Sequence, residues 1–242
     1  MIASCNPEAD SPVLTIGVVT DLHYCRGREP AKDRYYSLSA EKLSEAVNYF
    51  NGQKVDFTVS LGDTFDPDMS SYQDVAGIFA NMNNPVYKIL GNHDIIAPYG
   101  MPRQDSVMVA MGISSPYYSI RTGKGIRCIF IDSNDISFQS TATGSVGRET
   151  AQCMLTSLKT AGLPMAAKYN GMLSDRQKKW LEAEIEAAEW DGEQIDSLLQ
   201  THANVKAVFA GHHHEGAYFE SGHILHFRQP TGTTYIPSSG RR

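Results

Sequence analysis

The chain has 242 residues, 41% of them hydrophobic, with 27 acidic against 21 basic residues and a formal net charge of −6. That apolar content excludes a disordered chain. The lack of a basic cluster argues against a dedicated nucleic-acid binder, and no apolar stretch approaches the ~20 residues that cross a bilayer. With no Pro/Ser-rich linker or shift in composition, residues 13–242 read as one domain, preceded by a short polar segment, 1–12, expected to be flexible.

At the amino end, Ile2-Ala3-Ser4-Cys5 resembles the close of a bacterial lipoprotein signal, with polar Asn6–Pro12 as a tether. No apolar stretch precedes it. Two readings stay open: a lipid-anchored or periplasmic protein, or a cytoplasmic one with an accidental cysteine. Cys5, Cys25, Cys128 and Cys153 lack paired spacing and read as free thiols.

Val13–Thr20 reads as a buried strand. Tyr36, Ala40, Leu43, Val47 and Phe50 then recur at intervals of four and three, one face of an amphipathic helix. Strand Val55–Leu61, helix Ser71–Met82 and strand Val86–Leu90 follow, and this βαβαβ alternation predicts a parallel sheet. Pro98, Gly100 and Pro102 mark a loop before a short helix, Ser106–Met111. Tyr117–Arg121 and Arg127–Asp132 flank a glycine-bearing hairpin turn. Ser133–Gly147, rich in Ser, Thr, Asn and Gly, reads as a loop over the site. Ser174-Asp175-Arg176-Gln177 is a capping-box match that opens a helix with Trp180, Leu181, Ile185 and Ala188 on its buried face. A short helix, Ile195–Gln200, precedes strand Val205–Ala210, and Ala217–Glu220 forms a hairpin with Ile224–Arg228.

Four short motifs sit at the ends of the apolar runs: Asp21-Leu22-His23, Gly62-Asp63-Thr64-Phe65-Asp66, Gly91-Asn92-His93-Asp94 and Gly211-His212-His213-His214. Residues just past the carboxyl ends of strands in an open α/β sheet face one crevice. Oxygen and imidazole donors without thiolates suit Mn, Fe or Zn, so the pattern points to a metal-assisted hydrolase. Two residues apart in extended chain, Asp21 and His23 would face the same way.

The four motifs, in this order, resemble those of the calcineurin-like metallophosphoesterases over roughly Val13 to Gly232. The resemblance implies an α/β fold, a four-layer α-β-β-α sandwich with two mixed sheets, and a centre of two divalent metal ions. It assigns Asp21, His23 and His214 to the first metal, Asn92 and His212 to the second, and Asp63 to the bridge between them. It makes His93 the general acid or phosphoryl stabiliser, with Asp94 orienting its ring, and gives Asp66 a supporting role. The implied reaction is attack of a metal-bridging hydroxide on phosphorus, cleaving phosphate esters or diphosphate bonds of a small phosphorylated substrate. The Tyr35-Tyr36 segment and Asn170–Leu181 look most like the branch that cleaves ADP-ribose and CDP-alcohols.

One feature of the pattern is missing. The family carries a further histidine on a strand between the Trp180 helix and Gly211, yet only 14 residues lie between Trp190 and Val205. His202, the sole histidine there, falls ~20 Å from the strand's carboxyl edge; His223 and His226 are weak substitutes. Three explanations stand: residues missing near Gln194–Ile195, true loss of the strand, or local rearrangement. The gap also motivates an alternative function, a degenerate phosphoesterase that binds metal or a phosphorylated ligand without turnover.

Overall fold

The computed structural model describes residues 14–32, 34–66, 68–95, 104–123, 126–163, 165–186, 205–212, 216–228 and 232–236. The amino-terminal segment with Cys5, the Gln194–Ile195 neighbourhood, the expected helix at 195–200, His202, His213 and His214 lie outside them.

The β-branched and aliphatic runs form β1 (Ile16–Thr20), β2 (Phe57–Ser60) and β3 (Val86–Lys88), all parallel, as the alternation predicts. On the other edge of β1 a strand from the far end of the chain, β9 (Gly232–Ile236), pairs antiparallel, so the sheet is mixed with order β3-β2-β1-β9. Helix α1 (Ser39–Gln53), entered through a 3-10 turn at Tyr36–Leu38, and helix α2 (Met69–Phe79), capped by Asp68, cover one face. There Val19 meets Leu43, Ala46, Val47, Phe50, Val75 and Phe79.

Side chains alternate across a strand, so Phe57 and Val59 point to the opposite face. They pack on the hairpin of β4 (Tyr118–Arg121) and β5 (Arg127–Phe130), where Tyr118 stacks on Phe130 at 4.7 Å and Tyr87 lies 5.7 Å from Phe130. The hairpin alternates in turn. Ile129 and the following Ile131 face away from the sheet, onto Leu173 and onto Leu181 and Ile185 of α6 (Asp175–Glu186). Helix, sheet, sheet, helix is the four-layer order expected.

At the carboxyl end of the first sheet a short helix, α3 (Asn92–Ile95), and α4 (Gln104–Met111) bury Phe65, Tyr72, Leu90, Ile95, Val107 and Met111 together. Helix α5 (Val146–Thr160) follows the 133–145 loop. A second mixed sheet joins β6 (Ala207–Ala210), β8 (Ile224–Arg228) and β7 (Ala217–Ser221) in the order β6-β8-β7, β8 being parallel to β6 and antiparallel to β7. Cys25, Cys128 and Cys153 are free thiols, as expected. Among the described residues no helix is long and apolar enough to cross a membrane.

Candidate metal centre

The carboxyl ends of β1, β2 and β3 lie on one edge because the strands are parallel in register. The chain beyond β1 keeps pairing with the chain beyond β2: Asp21 N–H donates to Gly62 O (3.1 Å), His23 N–H to Asp63 O (2.8 Å) and Tyr24 N–H to Thr64 O (3.2 Å). The first two motifs therefore run side by side. Their side chains do not converge through extended backbone, as the spacing suggests. Asp21, His23 and Asp63 all adopt left-handed conformations, with φ of 51°, 46° and 48°. Each turn folds its side chain inward. Asp21 and His23 are 1% exposed and Asp63 3%. His23 Nε2 lies 3.9 Å from Asp21 Oδ1 and 3.7 Å from Asp63 Oδ2.

Asn92, the first residue of α3, is buried at the same edge. Its neighbour His93 donates its backbone N–H to Asp63 Oδ1 (2.8 Å), which ties the third motif to the second. Gly91 is required here: a Cβ would overlap the backbone nitrogen and Oδ1 of Asp63.

Asp94 is fully buried and turns to the backbone. Its carboxylate accepts from Thr64 N–H (2.8 Å), Phe65 N–H (3.2 Å) and Gly91 N–H (2.9 Å), clamping the loop after β2 to the loop after β3. Asp94, expected to orient the His93 ring, is held here by backbone donors of both loops. The carboxylate that meets the ring is Asp66, whose Oδ2 is 3.3 Å from His93 Nδ1. Burial alone would raise Asp66, but the hydrogen bond and charge of His93, with His23 and Arg34, hold it below the usual carboxylate range. On the opposite side of the ring, Arg34 Nη2 stands 3.2 Å from His93 Nε2.

From the second sheet, His212 follows β6 through Gly211, at which a Cβ would overlap the hydroxyl of Thr20 and crowd Asp21. His212 has φ of 72° and donates its backbone N–H to both carboxylate oxygens of Asp21, at 3.1 and 2.9 Å. The exposed ring of Tyr169 sits 5.1 Å from the His212 ring. His223 and His226 do not substitute for the missing histidine. His223 lies at the β7–β8 turn, next to the amino end of β8, opposite the edge that carries Gly211. His226 is level with Val208 in mid-strand, stacked 4.6 Å from Phe219.

The donor set fits divalent cations. His23, Asp63 and His93 offer ligand atoms that all lie within 4.8 Å of one another. His93, expected outside the ligands, has its ring in this cluster, edge-on to His23 at 4.7 Å. Asp63 is pushed well above the usual carboxylate range by burial and then by the charge of Asp94. Asp94 is raised by burial despite its backbone donors. Burial takes these carboxylates out of water, a cost that a bound cation would relieve.

Sequence reasoning missed Arg34, Arg28 and Tyr169, which come from loops without an apolar pattern. The second acidic residue of Gly62-Asp63-Thr64-Phe65-Asp66 was the available signal for the partner of His93.

A family model described as Calcineurin-like phosphoesterase matches residues 14–216. A manganese-dependent ADP-ribose/CDP-alcohol diphosphatase of Arabidopsis thaliana is 24% identical, with 91% of this chain and 86% of that protein covered. A Danio rerio protein of the same description is 22% identical, with 86% and 83% covered. The crystal structure of a dimetal phosphatase from Danio rerio superposes with a TM-score of 0.76 at 21% identity, covering 91% of this chain and 88% of that one, and has the same fold. The Arabidopsis match runs over 270 residues, whereas 91% of this 242-residue chain is only about 220, so about 50 positions of that relative have no counterpart here.

Proposed function

Because the chain belongs to the calcineurin-like phosphoesterase family, we propose that it is a metal-dependent hydrolase whose substrate is a small diphosphate-bridged nucleotide derivative, such as ADP-ribose or a CDP-alcohol. The observation that carries this reading is the convergence of His23, Asp63 and His93, whose ligand atoms lie within 4.8 Å of one another at the carboxyl edge of one sheet, with buried Asp21 3.9 Å from His23 Nε2. The names of the plant and fish relatives support the substrate class. They carry nothing about a bacterial source or a lipid anchor, which rest on the Cys5 motif alone.

In this reading Asp21, His23, Asp63, Asn92, His212 and His214 are the residues that would hold two divalent cations. The ions, when bound, lower the pKa of a water and offset charge on the phosphoryl oxygens. The chain's own part is to aim the leaving group. His93 faces the centre with Nδ1 3.3 Å from Asp66 Oδ2, a pairing that fixes the ring. Asp94 keeps the two motif loops in register rather than meeting the substrate.

Turnover of bis-p-nitrophenyl phosphate and ADP-ribose with Mn²⁺ or Co²⁺ tests the reading. Asp63→Asn is expected to cut kcat at least 10²-fold and to lower metal content. Absence of turnover on either substrate by the metal-loaded wild-type chain would refute it. A second reading, a chain that binds metal or a phosphorylated ligand without turnover, draws on the histidine and strand that the sequence pattern lacks between the Trp180 helix and Gly211. Metal analysis separates them: about two ions per chain favours the enzyme, one or none the binding protein.

A further inference from the structure

We propose that Arg34, steadied by Arg28, binds the phosphoryl group that is not attacked in a diphosphate-bridged substrate, so that the loop after β1 selects diphosphates over single-phosphorus esters. The inference rests on the phosphoesterase reading and deepens it.

Three arginines lie on this loop, and they are not equivalent. Arg26 is committed: its Nε and Nη2 grip the two oxygens of Asp74 at 2.8 and 2.6 Å, and Tyr24 adds a hydroxyl to the same carboxylate at 2.9 Å. Arg28 and Arg34 instead share one carboxylate oxygen. Asp66 Oδ2 is 3.4 Å from Arg34 Nη1 and 3.8 Å from Arg28 Nη1, and the same oxygen faces His93 Nδ1 at 3.3 Å. Two guanidinium groups against one carboxylate leave a local excess of positive charge. It is open to ligand, for the Arg34 side chain is 27% exposed and that of Arg28 46%.

The position is specific. Arg34 Nη2 touches His93 Nε2 at 3.2 Å, and the His93 ring belongs to the cluster with His23 and Asp63. The guanidinium thus stands one side chain away from any phosphoryl group held at that centre, at the place a bridged second phosphate would reach. A single-phosphorus ester puts no second phosphate there. The loop is also built in advance. Ala31 and Arg34 exchange two backbone hydrogen bonds (3.0 and 3.2 Å), Arg28 O accepts from Ser37 N–H (3.3 Å), and the Arg28 guanidinium lies 3.8 Å over the ring of buried Tyr36. A planar guanidinium forks two N–H donors onto a phosphate, which an ammonium cannot do.

The test compares the full-length, Mn²⁺-loaded wild-type protein with Arg34→Ala, Arg34→Lys and Arg28→Ala on ADP-ribose and on bis-p-nitrophenyl phosphate. The quantity read is the ratio of kcat/KM for the two substrates. Arg34→Ala is expected to lower that ratio at least tenfold, chiefly through KM for ADP-ribose, with Arg34→Lys recovering less than threefold of it and Arg28→Ala lowering it about threefold. Should Arg34→Ala not fold, Arg34→Gln keeps the length without the charge and is read in the same way. A ratio within twofold of wild type overturns the inference, whether both activities fall together or neither does. If the wild-type protein hydrolyses neither substrate, the phosphoesterase reading fails and calorimetric binding decides. A tenfold rise in the Kd for ADP-ribose relative to that for inorganic phosphate in Arg34→Ala supports the contact, and an unchanged ratio overturns it.

Discussion

Asp21, His23, Asp63 and His212 hold φ between 46° and 72°, a region that costs a residue with a Cβ on the order of 1–3 kcal/mol. The strain persists because neighbours over-determine it: the His23 N–H is fixed on Asp63 O, the His212 N–H on Asp21, and the His93 N–H on Asp63. Side-chain identity at these positions is legible in the sequence, since aspartate and histidine after four apolar runs stand out. Backbone conformation is not, because Asp and His adopt both extended and left-handed backbone and the surroundings decide which. That is why two-residue spacing suggests extended chain where the fold uses tight turns. Gly91 is the companion that makes room. Gly91→Ala drives a methyl into Asp63 and is expected to cost about 1–3 kcal/mol, as overpacking does, with at least a tenfold loss of Mn²⁺ affinity. Gly77→Ala is the control. It lies exposed in α2 with nothing near its missing Cβ, and should stabilise by about 0.5–1 kcal/mol. Urea unfolding with EDTA, and Mn²⁺ titration, read both.

Elements were legible where their apolar pattern is dense. β1 and β2 are continuous buried runs, and α1 carries Leu43, Val47 and Phe50 on one face. Helix α5 buries only Ala151 and Leu155 over 15 residues, and β9 reads Gly-Thr-Thr-Tyr-Ile, so neither announces itself. The start of α6 is half legible. Gln177 N–H does donate to Ser174 Oγ (3.2 Å), but the reciprocal arm of the capping box is absent; Asp135 takes the Ser174 N–H at 2.9 Å instead. The freed amide of Gln177, fully buried, accepts from Asp132 N–H (2.8 Å) and donates to Asp132 O (3.0 Å) and Asp135 Oδ2 (2.8 Å). Through Asn134, whose amide donates to Leu90 O at 3.1 Å, this network reaches the residue before Gly91. α6 therefore braces the third motif from the far layer. Gln177→Leu strands Asp132 N–H and C=O in the interior and is expected to cost about 2–6 kcal/mol, at about 1–3 kcal/mol per orphaned group. A loss under 1 kcal/mol in urea midpoints would mean water replaces the amide.

Across the whole molecule, the layers bury carboxyl groups that water would otherwise stabilise, and stability then depends on pH with a definite sign. Asp132, 2% exposed beneath the hairpin, is raised to about 6 by burial, against the hydrogen bonds from Asn134 and Gln104. A carboxyl raised on folding binds its proton more tightly in the native state. Below about pH 3 both states are largely protonated and the group costs little. Between about pH 4 and 6 the unfolded chain releases the proton while the folded one keeps it, so native stability falls as pH rises, and it levels off above 6. Two pKa units correspond to about 3 kcal/mol. Asp132→Asn removes the titration while keeping an acceptor for Asn134. The stability difference, variant minus wild type, should therefore grow by up to about 3 kcal/mol in the variant's favour between pH 4 and pH 7, measured by urea unfolding with EDTA. A pH-independent difference would show that Asp132 is not paying this desolvation cost. Mn²⁺ at 100 times its Kd should add about 2.7 kcal/mol at pH 7 for each of the two sites it fills. Asp132 belongs to the network that runs through Asn134 to Leu90 behind the third motif, so the metal increment in Asp132→Asn against that in wild type reads how strongly the network couples to the centre.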